Sequence, residues 1–385
     1  MALVQMQDML RHAYDNQYAV GAFDVVSLEL LQGVINAAER CRAPVILGLA
    51  EPHLEYCDIE LLATAVEAAA RRSSVPVAIH YDHGSGVEGA INGIRHGCNG
   101  VMIDGSHLPL QENIERTKAV VAMAHGCGVP VEAELGYVPD SGDELIFTSV
   151  EEARGFVRLT GVDFLAVSIG TVHGRLAGKP RLDYQRLRQI NEALQIPLVL
   201  HGSSGLNDDQ YRRLIANGIA KVNHFTAITD HAAAKLRSNA RNTDEGYLKL
   251  FKGVQEGVEQ DAAHLMRVWG SAGRAAEVLE QCHAWRGVDY VLRFNLPGAD
   301  AEEEAMLTRR GRRLLTQIPG VREVVVAESF GDTTTPRYCW QLRLASTEVA
   351  EAIKRHPEFL DFTRRYLRDD ATELSSASYR LQQVA

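Results

Sequence analysis

The 385-residue chain lacks features that define several large classes of proteins. No apolar stretch reaches the ~20 residues that a membrane-spanning helix needs. The N-terminal residues lack the basic start and apolar core of a signal peptide. The six cysteines include no CxxC pair, so neither a disulfide scaffold nor a cysteine metal site is expected. Together these absences predict a cytoplasmic protein with reduced thiols.

Positive charge is also scarce. Lys+Arg number 40 against 50 Asp+Glu, which gives a formal net charge of −10, and no basic arm or stripe is present. Neither a nucleic acid nor a membrane is therefore expected as a partner. The apolar share of 46% is ordinary for a globular protein. The length is greater than one barrel needs, so a second domain is expected.

Eight short apolar runs alternate with helical stretches over roughly the first 230 residues. Nearly continuous apolar runs are typical of parallel strands that are buried on both faces. Eight βα units predict a (β/α)8 TIM barrel, with the doubly wound open sheet as the alternative. The predicted strands are 18–23, 44–49, 76–81, 99–104, 129–134, 163–169, 196–201 and 218–223.

The order of predicted elements changes to βαββαβ after residue 287, which predicts a small ferredoxin-like α+β domain. Its strands are expected at 288–295, 321–328, 338–345 and 373–382, and its helices at 301–316, 347–355 and 358–367. We place the domain boundary near Arg274–Arg286. The predicted division is a barrel over 1–275, a linker over 276–287 and the second domain over 288–385.

Three histidines, His83, His173 and His201, fall at the carboxyl ends of three predicted strands, where such barrels carry their active sites. Neutral imidazoles that converge from separate strands are a common way to build an open Zn²⁺ site. The alternative is that each is an ordinary loop or core residue. His107 and His224 lie near strand ends and are weaker candidates. Three further histidines are assigned to helices or loops away from the site, namely His53, His96 and His125.

Asp82 directly precedes His83. A carboxylate beside a metal-bound substrate hydroxyl is well placed for proton transfer, and the alternative role is a helix cap or a residue that supports a ligand.

Gly202-Ser203-Ser204-Gly205 and Asn223–Thr226 follow predicted strands 7 and 8. In such barrels these two loops often bind phosphate through backbone N–H groups, so both are candidate phosphate-binding segments.

The first 275 residues resemble the class II, zinc-dependent ketose-bisphosphate aldolases, nearest to those acting on fructose and tagatose bisphosphates. The similar stretches follow the family's order and spacing and lie at the strand ends described above. They include YAVGAFDV (18–25), VPVAIHYDHG (75–84), VMIDGSHLPLQENI (101–114), VEAELG (131–136), GVDFLAVSIGTVHG (161–174), PLVLHGSSGL (197–206) and GIAKVNHFT (218–226).

This resemblance implies reversible retro-aldol cleavage of a phosphorylated ketose, in which one Zn²⁺ per chain stabilises the enediolate. Its zinc ligands carry over to His83, His173 and His201, and its catalytic acid/base to Asp82. Glu134 and Asp104 match carboxylates that support the metal or bind it in an alternative position. A monovalent cation near the phosphate site is also expected. The phosphate-binding positions carry over to Gly174, Gly202, Ser203, Ser204, Asn223, His224, Phe225 and Thr226.

The sequence departs from the family pattern in two places. The loop after predicted strand 5 has Pro-Asp in place of a glycine pair. In the family a carboxylate of this loop transfers the proton of the enediolate carbon, and we assign that role to Glu144, or alternatively to Asp143. Asp24 and Ala50 stand where relatives have Asn and Ser. Because a carboxylate disfavours a nearby phosphate, we expect a substrate without the second phosphate of a bisphosphate.

Two other functions stay open. One is a metal-dependent isomerase, epimerase or other lyase that uses the same enediolate, and the other is a non-catalytic sugar-phosphate binder. Retention of Asp82 with all three histidines argues against the binder. Lys221, inside predicted strand 8, is structural on the family interpretation, and it is the residue to check for a lysine-dependent aldolase.

Residues 288–385 resemble the stress-responsive dimeric α+β barrel family, on the strand 288–295, IPGV at 318–321 and HPEFLDF at 356–362. The resemblance implies that two such sheets close into one barrel between chains, giving a homodimer or a higher homo-oligomer. Four aromatic residues either line a second small-molecule pocket or form ordinary core: Tyr290, Phe294, Trp340 and Phe359.

Overall fold

A computed structural model describes residues 2–138, 146–174, 181–242, 246–329, 336–367 and 371–381. Eight parallel strands close into a barrel in which each strand pairs with the next and β8 pairs with β1. The (β/α)8 prediction is therefore confirmed and the open-sheet alternative is wrong. The strands are β1 Val20–Asp24, β2 Val45–Ala50, β3 Val77–Gly84, β4 Gly100–Ile103, β5 Val131–Leu135, β6 Phe164–Val167, β7 Leu198–Leu200 and β8 Ile219–Asn223.

Helices cover the outside of the barrel and close one of its ends. Met6 and Met9 of the first helix pack against Ile46, Phe164 and Val199 inside the barrel, which closes the end opposite the carboxyl ends of the strands. The helices are α1 Met6–Asp15, α2 Leu28–Cys41, α3 Ile59–Arg72, α4 Val87–Arg95, α5 Leu110–Gly126, α6 Val150–Thr160, α7 Tyr184–Leu194, α8 Asp208–Ile215, α9 Thr226–Asn242, α10 Gly246–Leu250, α11 Val254–Val268 and α12 Ala275–Gln281. Across the described residues, none of the helices has the length and apolar character that crossing a bilayer requires.

The residues expected to form a linker contain α12 and are held to the start of the chain. Ala284 pairs with Val4 in an isolated antiparallel bridge, and the backbone N–H of Gln5 donates to the carbonyl of His283 at 2.8 Å. The backbone N–H of Trp285 donates to the carbonyl of Leu3. The chain therefore enters its second unit from the closed end of the barrel.

The second unit is a four-stranded antiparallel sheet with helices on one face, as the sequence predicted. Its strand order is β10-β11-β9-β12, the order of a ferredoxin-like βαββαβ fold. The elements are β9 Val288–Asn295, α13 Ala301–Met306, α14 Arg312–Thr316, β10 Val321–Glu328, β11 Tyr338–Leu344, α15 Thr347–Ala352, α16 Pro357–Tyr366 and β12 Thr372–Arg380.

The four aromatic residues of the second unit belong to its core. Each is 5% exposed or less, and Tyr290 packs edge-on against Phe359 with ring centroids 5.8 Å apart. Trp340 packs against Phe362 in the same layer between the sheet and the helices. The interpretation as ordinary core thus fits their positions within one chain.

A partly buried ion pair joins the two units. Arg322 of β10 donates two hydrogen bonds to the carboxylate of Glu67 on α3, at 3.0 and 2.7 Å, and a third to the carbonyl of Arg95. Burial opposes ionisation of Glu67, but Arg322 and then Arg71 outweigh it and lower the pKa of Glu67 to about 2. Because this pKa is depressed on folding, the pair stabilises the junction above the ordinary Glu pKa of about 4.5. That contribution is lost as the pH falls towards about 2.

We predict that Arg322→Met uncouples the second unit from the barrel. The substitution removes the bidentate partner of Glu67 but leaves Arg71 bonded to it, so the expected cost is that of lost hydrogen bonds to a charged group, about 1.5 to 3 kcal/mol. Calorimetry should show the second unit melting earlier than the barrel, as a separate transition. Arg365→Met is the matched control, because the Arg365–Asp361 pair is largely exposed and lies within α16 of the second unit. Equal melting shifts in the two variants would contradict the prediction.

Candidate active site

A cavity of about 590 Å³ opens at the carboxyl ends of the barrel strands. Most of the predicted site residues line it. His224 lies buried behind its wall, and Asp143 and Glu144 lie outside the described residues. The lining includes Asp82, His83, Asp104, Glu134, His173, Gly174, His201, Gly202, Ser203, Ser204, Asn223, Phe225 and Thr226.

The three predicted histidines converge in this cavity. Each of His83, His173 and His201 offers a ring nitrogen, and these nitrogens lie within 4.8 Å of one another. The closest pair is His83 Nε2 and His201 Nδ1, at 3.2 Å. The ring planes meet at 77° to 90°. Three imidazoles arranged in this way can present their nitrogens to a single ion.

Carboxylates fix the orientation of two of the rings. Asp104 Oδ2 lies 2.8 Å from His83 Nδ1, and Glu132 Oε1 lies 2.9 Å from His201 Nε2. A ring N–H that donates to a carboxylate leaves the opposite ring nitrogen free as a ligand. The hydrogen bonds therefore assign His83 Nε2 and His201 Nδ1 as the free nitrogens.

Several buried polar atoms of the cavity lining have no hydrogen-bond partner, and His173 Nε2 and Glu134 Oε2 are two of them. Burial, together with the other two imidazoles, lowers the pKa of His173 to about 3, so this ring is neutral near pH 7. Burial and the neighbouring Asp104 raise the pKa of Glu134 to about 8. Orphaned polar atoms next to converging imidazoles fit a divalent metal ion, which would supply the missing partner. His83, Asp104 and Glu134 form a second, overlapping group of possible ligands.

A backbone irregularity brings both Asp82 and His83 to the cavity. Adjacent residues of a regular strand point to opposite sides. Here the pairing of β3 with β4 shifts register between Tyr81 and Gly84, and His83 has φ of 49°, in the left-handed region. A non-glycine residue in that conformation is uncommon and often lies at a functional site.

Asp82 is placed to act as a base. It is 1% exposed, its Oδ2 accepts a hydrogen bond of 2.9 Å from the amide of Asn223, and the same oxygen lies 3.7 Å from His83 Nε2. Burial opposes ionisation of Asp82, but the neighbouring His83, His80 and Lys221 outweigh it and hold its pKa well below the ordinary value. The group is therefore an ionised carboxylate near pH 7.

The loops after β7 and β8 are joined at the edge of the cavity. Ser203 Oγ donates to the carbonyl of Asn223, and Ser204 Oγ accepts from the backbone N–H of Ala227 in the first turn of α9. Gly202 has φ of 64°, and a Cβ there would lie 2.4 Å from the carbonyl oxygen of Val172. Only glycine fits this turn, which brings the β7 loop to the N-terminus of α9, where backbone N–H groups favour anions.

Two parts of the cavity wall were not predicted from the sequence. The assignment of His53 away from the site is wrong, because a 3-10 turn over Glu51–Glu55 follows β2 directly and places His53 in the wall, stacked on Phe225 at 4.1 Å. Tyr137 and Val138 also line the cavity. The sequence did contain a signal for His53, because this residue lies three positions after the end of β2, where cavity residues are expected. His107, a weaker candidate, is also part of the lining.

The other end of the wall contains Asp24, Ala50 and Pro52. Burial and the negative charge of Asp82 raise the pKa of Asp24 to about 8. No Lys or Arg lines the cavity in the part of the chain that the structure describes. Lys221 is fully buried, and its Nζ lies 2.7 Å from Glu132 rather than in the cavity wall. Within the described wall, the donors that an anion would meet are therefore backbone N–H groups and uncharged or imidazole side chains.

Comparison with known proteins gives a consistent result. Residues 4–274 match the family described as fructose-bisphosphate aldolase class-II. The chain is 37% identical over 285 residues to a 6-phospho-5-dehydro-2-deoxy-D-gluconate aldolase of Bacillus licheniformis, covering 71% of this chain and 97% of that protein. It is 37% identical over 289 residues to a fructose-bisphosphate aldolase of Geobacillus stearothermophilus, covering 72% of this chain and all of that protein.

A solved structure shows the same similarity. The crystal structure of the YdjI aldolase from Escherichia coli K12 is similar with a TM-score of 0.66 and 35% identity, over 71% of this chain and 99% of that chain. The family match ends at residue 274, so the second unit lies beyond it. Through its barrel, the chain belongs to the class II fructose-bisphosphate aldolase family, whose members are lyases.

Proposed function

We propose that the protein is a zinc-dependent aldolase that reversibly cleaves a phosphorylated ketose. The observation that carries this proposal is the convergence of His83, His173 and His201 beside the buried carboxylate of Asp82. Three histidine ligands with one position left open are a typical catalytic zinc site. Zn²⁺ bound there would act as a Lewis acid that polarises the ketone oxygen of the substrate.

The residues of the chain supply the proton transfers and the positioning. Asp82 accepts the proton of the C4 hydroxyl as the C3–C4 bond breaks, and returns it when the bond forms in the reverse direction. The amide of Asn223 holds Asp82 in place through its 2.9 Å hydrogen bond. The backbone of Gly174 and of the Gly202–Ser204 loop, together with the first turn of α9, binds the phosphate next to the ketone. Glu144, or Asp143 in its place, remains our assignment for the proton on the enediolate carbon.

We further propose that the substrate has a single phosphate. The end of the cavity formed by Asp24, Ala50 and Pro52 offers no cationic side chain among the described residues to hold a second phosphate. Because burial raises its pKa to about 8, Asp24 is neutral near pH 7. The negative charge expected from the sequence is therefore not what disfavours a second phosphate, and the proposal rests on the lack of cationic side chains in the described wall. The protonated carboxyl can hydrogen-bond to a hydroxyl-bearing chain. The name of one relative, 6-phospho-5-dehydro-2-deoxy-D-gluconate aldolase, denotes a substrate with one phosphate.

The second unit supports a proposal about assembly. We propose that the sheet face opposite the helices binds a second copy of the chain, so that the protein is a homodimer. Successive Cα partners place Ala377, Val291, Gln341 and Val325 in one row across this face, and Val325 is 40% exposed. Burying this row against its own copy removes the side chains of Val291, Val325 and Ala377 from water on both chains. The same face also carries the paired charges of Asp289, Arg343 and Glu323.

Removal of the metal is the central test of the proposed activity. With a ketose 1-phosphate as substrate, a chelator should lower the release of triose phosphate at least about 100-fold, because Lewis-acid stabilisation is worth several kcal/mol. One equivalent of Zn²⁺ should restore the activity. Asp82→Asn should keep the zinc and lose the cleavage. Stoichiometric zinc without any cleavage would favour the isomerase or epimerase alternative.

A substrate comparison tests the single phosphate. We expect kcat/KM for ketose 1-phosphates to exceed that for fructose and tagatose bisphosphates by at least about tenfold, which corresponds to about 1.4 kcal/mol of transition-state binding. Zinc content should be measured in the same samples, so that differences reflect the substrate and not the loading. Efficient cleavage of either bisphosphate would contradict this part of the proposal.

Sedimentation velocity tests the dimer. The wild-type chain should sediment at about twice its 42.4 kDa mass. Val325→Glu should shift the equilibrium to monomers, because it adds a charge to the proposed interface. Leu61→Glu, at a side chain that is 75% exposed on α3, is the control and should leave the dimer intact. A wild-type protein that is monomeric at micromolar concentration would refute the proposed interface.

A further inference from the structure

A group of titratable side chains, which includes a buried ammonium and a buried carboxylate, lies inside the barrel, below the cavity and outside its lining. Lys221 of β8, Glu132 of β5 and His80 of β3 are each 1% exposed or less. Burial of a charge in a protein interior is strongly unfavourable unless it is paired and hydrogen-bonded. The ammonium of Lys221 and the carboxylate of Glu132 therefore need hydrogen-bond partners inside the barrel.

The closest contact in the group joins Lys221 to Glu132. Lys221 Nζ donates to Glu132 Oε2 at 2.7 Å and lies 4.0 Å from Asp82 Oδ1. Burial alone would raise the pKa of Glu132, but Lys221 and then His201 outweigh it and lower that pKa to about 2. His80 lies on the other side, with Nε2 3.7 Å from Glu132 Oε2 and Nδ1 3.4 Å from Asp82 Oδ1.

Glu132 uses its second oxygen on a proposed metal ligand. Its Oε1 lies 2.9 Å from Nε2 of His201, while Oε2 is held by Lys221. One carboxylate thus connects an ammonium group to an imidazole. If the carboxylate rotated, His201 would lose the acceptor that keeps its proton on Nε2, and Nδ1 would no longer be fixed as the free nitrogen.

The position of Lys221 also argues against a second metal site formed by Asp82, Glu132 and His201. Asp82, Glu132 and His201 offer three possible ligand atoms within 4.8 Å of one another. The ammonium of Lys221 already lies within 4.0 Å of two of these residues and supplies the positive charge that a metal would bring. His201 meanwhile directs its other nitrogen to His83.

We propose that Lys221 is a positioning residue: by holding Glu132, it fixes the ring of His201 with Nδ1 facing His83 and His173. This inference rests on the metal site of the proposed function. Its role differs from that of a Schiff-base lysine, because its nitrogen is buried, is bonded to a carboxylate and does not reach the cavity wall.

The test compares Lys221→Met and Glu132→Gln with the double variant, using the full-length chain. Zinc affinity is measured by competition with a chromophoric chelator, and the geometry of the site by the absorption spectrum of the Co²⁺-substituted protein. Each single substitution should weaken zinc binding by about 10- to 100-fold, the usual effect of removing a partner of a metal ligand. The Co²⁺ spectrum should change at the same time.

The double variant keeps the test valid if Lys221→Met folds poorly, because it also removes the carboxylate of Glu132 that Lys221→Met leaves unpaired, while Asp82 keeps its hydrogen bond to Asn223. It should bind zinc no more weakly than Lys221→Met, since both substitutions act through one contact. Arg322→Met is the matched control. It breaks the ion pair at the junction of the two units, and its zinc affinity should stay within about threefold of the wild type.

Three results would overturn the inference. The first is a Lys221→Met protein with wild-type zinc affinity and a wild-type Co²⁺ spectrum. The second is a weakening by Arg322→Met as large as that by Lys221→Met, which would indicate a general loss of stability. The third is a substrate adduct trapped on Lys221 by borohydride. If the wild type binds zinc but cleaves no ketose phosphate, the proposed function fails while the effect of Lys221 on affinity remains measurable.

Discussion

Closure of the parallel barrel is the constraint on which the site depends. A strand in a closed sheet has no free edge, and every carboxyl end opens onto the same mouth. Residues that are more than 100 positions apart in the chain therefore meet, as His83 and His201 do at 3.2 Å. The cost of closure is that side chains pointing inward are cut off from water, so any polar group among them needs a partner on another strand.

The charged residues beneath the mouth meet this requirement through residues of other strands, some of them on the far side of the barrel. Glu132 of β5 lies between Lys221 of β8 and His201 after β7, and Asp104 after β4 pairs with His83 of β3. The same contacts that neutralise buried charges also set which nitrogen of each imidazole is free. Electrostatic stability of the interior and pre-organisation of the site thus arise from one set of hydrogen bonds.

Much of this arrangement could be predicted from the sequence, because the apolar runs mark the strands and the polar residues that follow them mark the mouth. His83, His173 and His201 were predictable in this way. The shift in register that brings Asp82 and His83 to one side depends on pairing between β3 and β4, which no local pattern shows. Glu132 lies two positions before Glu134 and so on the same face, yet its role depends on Lys221, 89 residues away. His53 was missed because a single 3-10 turn reverses the chain over the mouth.

Two opposing effects on stability meet at the left-handed backbone of His83. At φ of 49° an imidazole-bearing residue costs of order 1 kcal/mol or more relative to glycine, so a glycine at this position would relax the chain. Glycine, however, carries no ring nitrogen. It would also leave the carboxylate of Asp104 without the ring nitrogen that lies 2.8 Å from it. The histidine thus strains the backbone but satisfies a largely buried carboxylate, and these two effects are of similar size. Position 83 can therefore keep its histidine without a large net loss of stability.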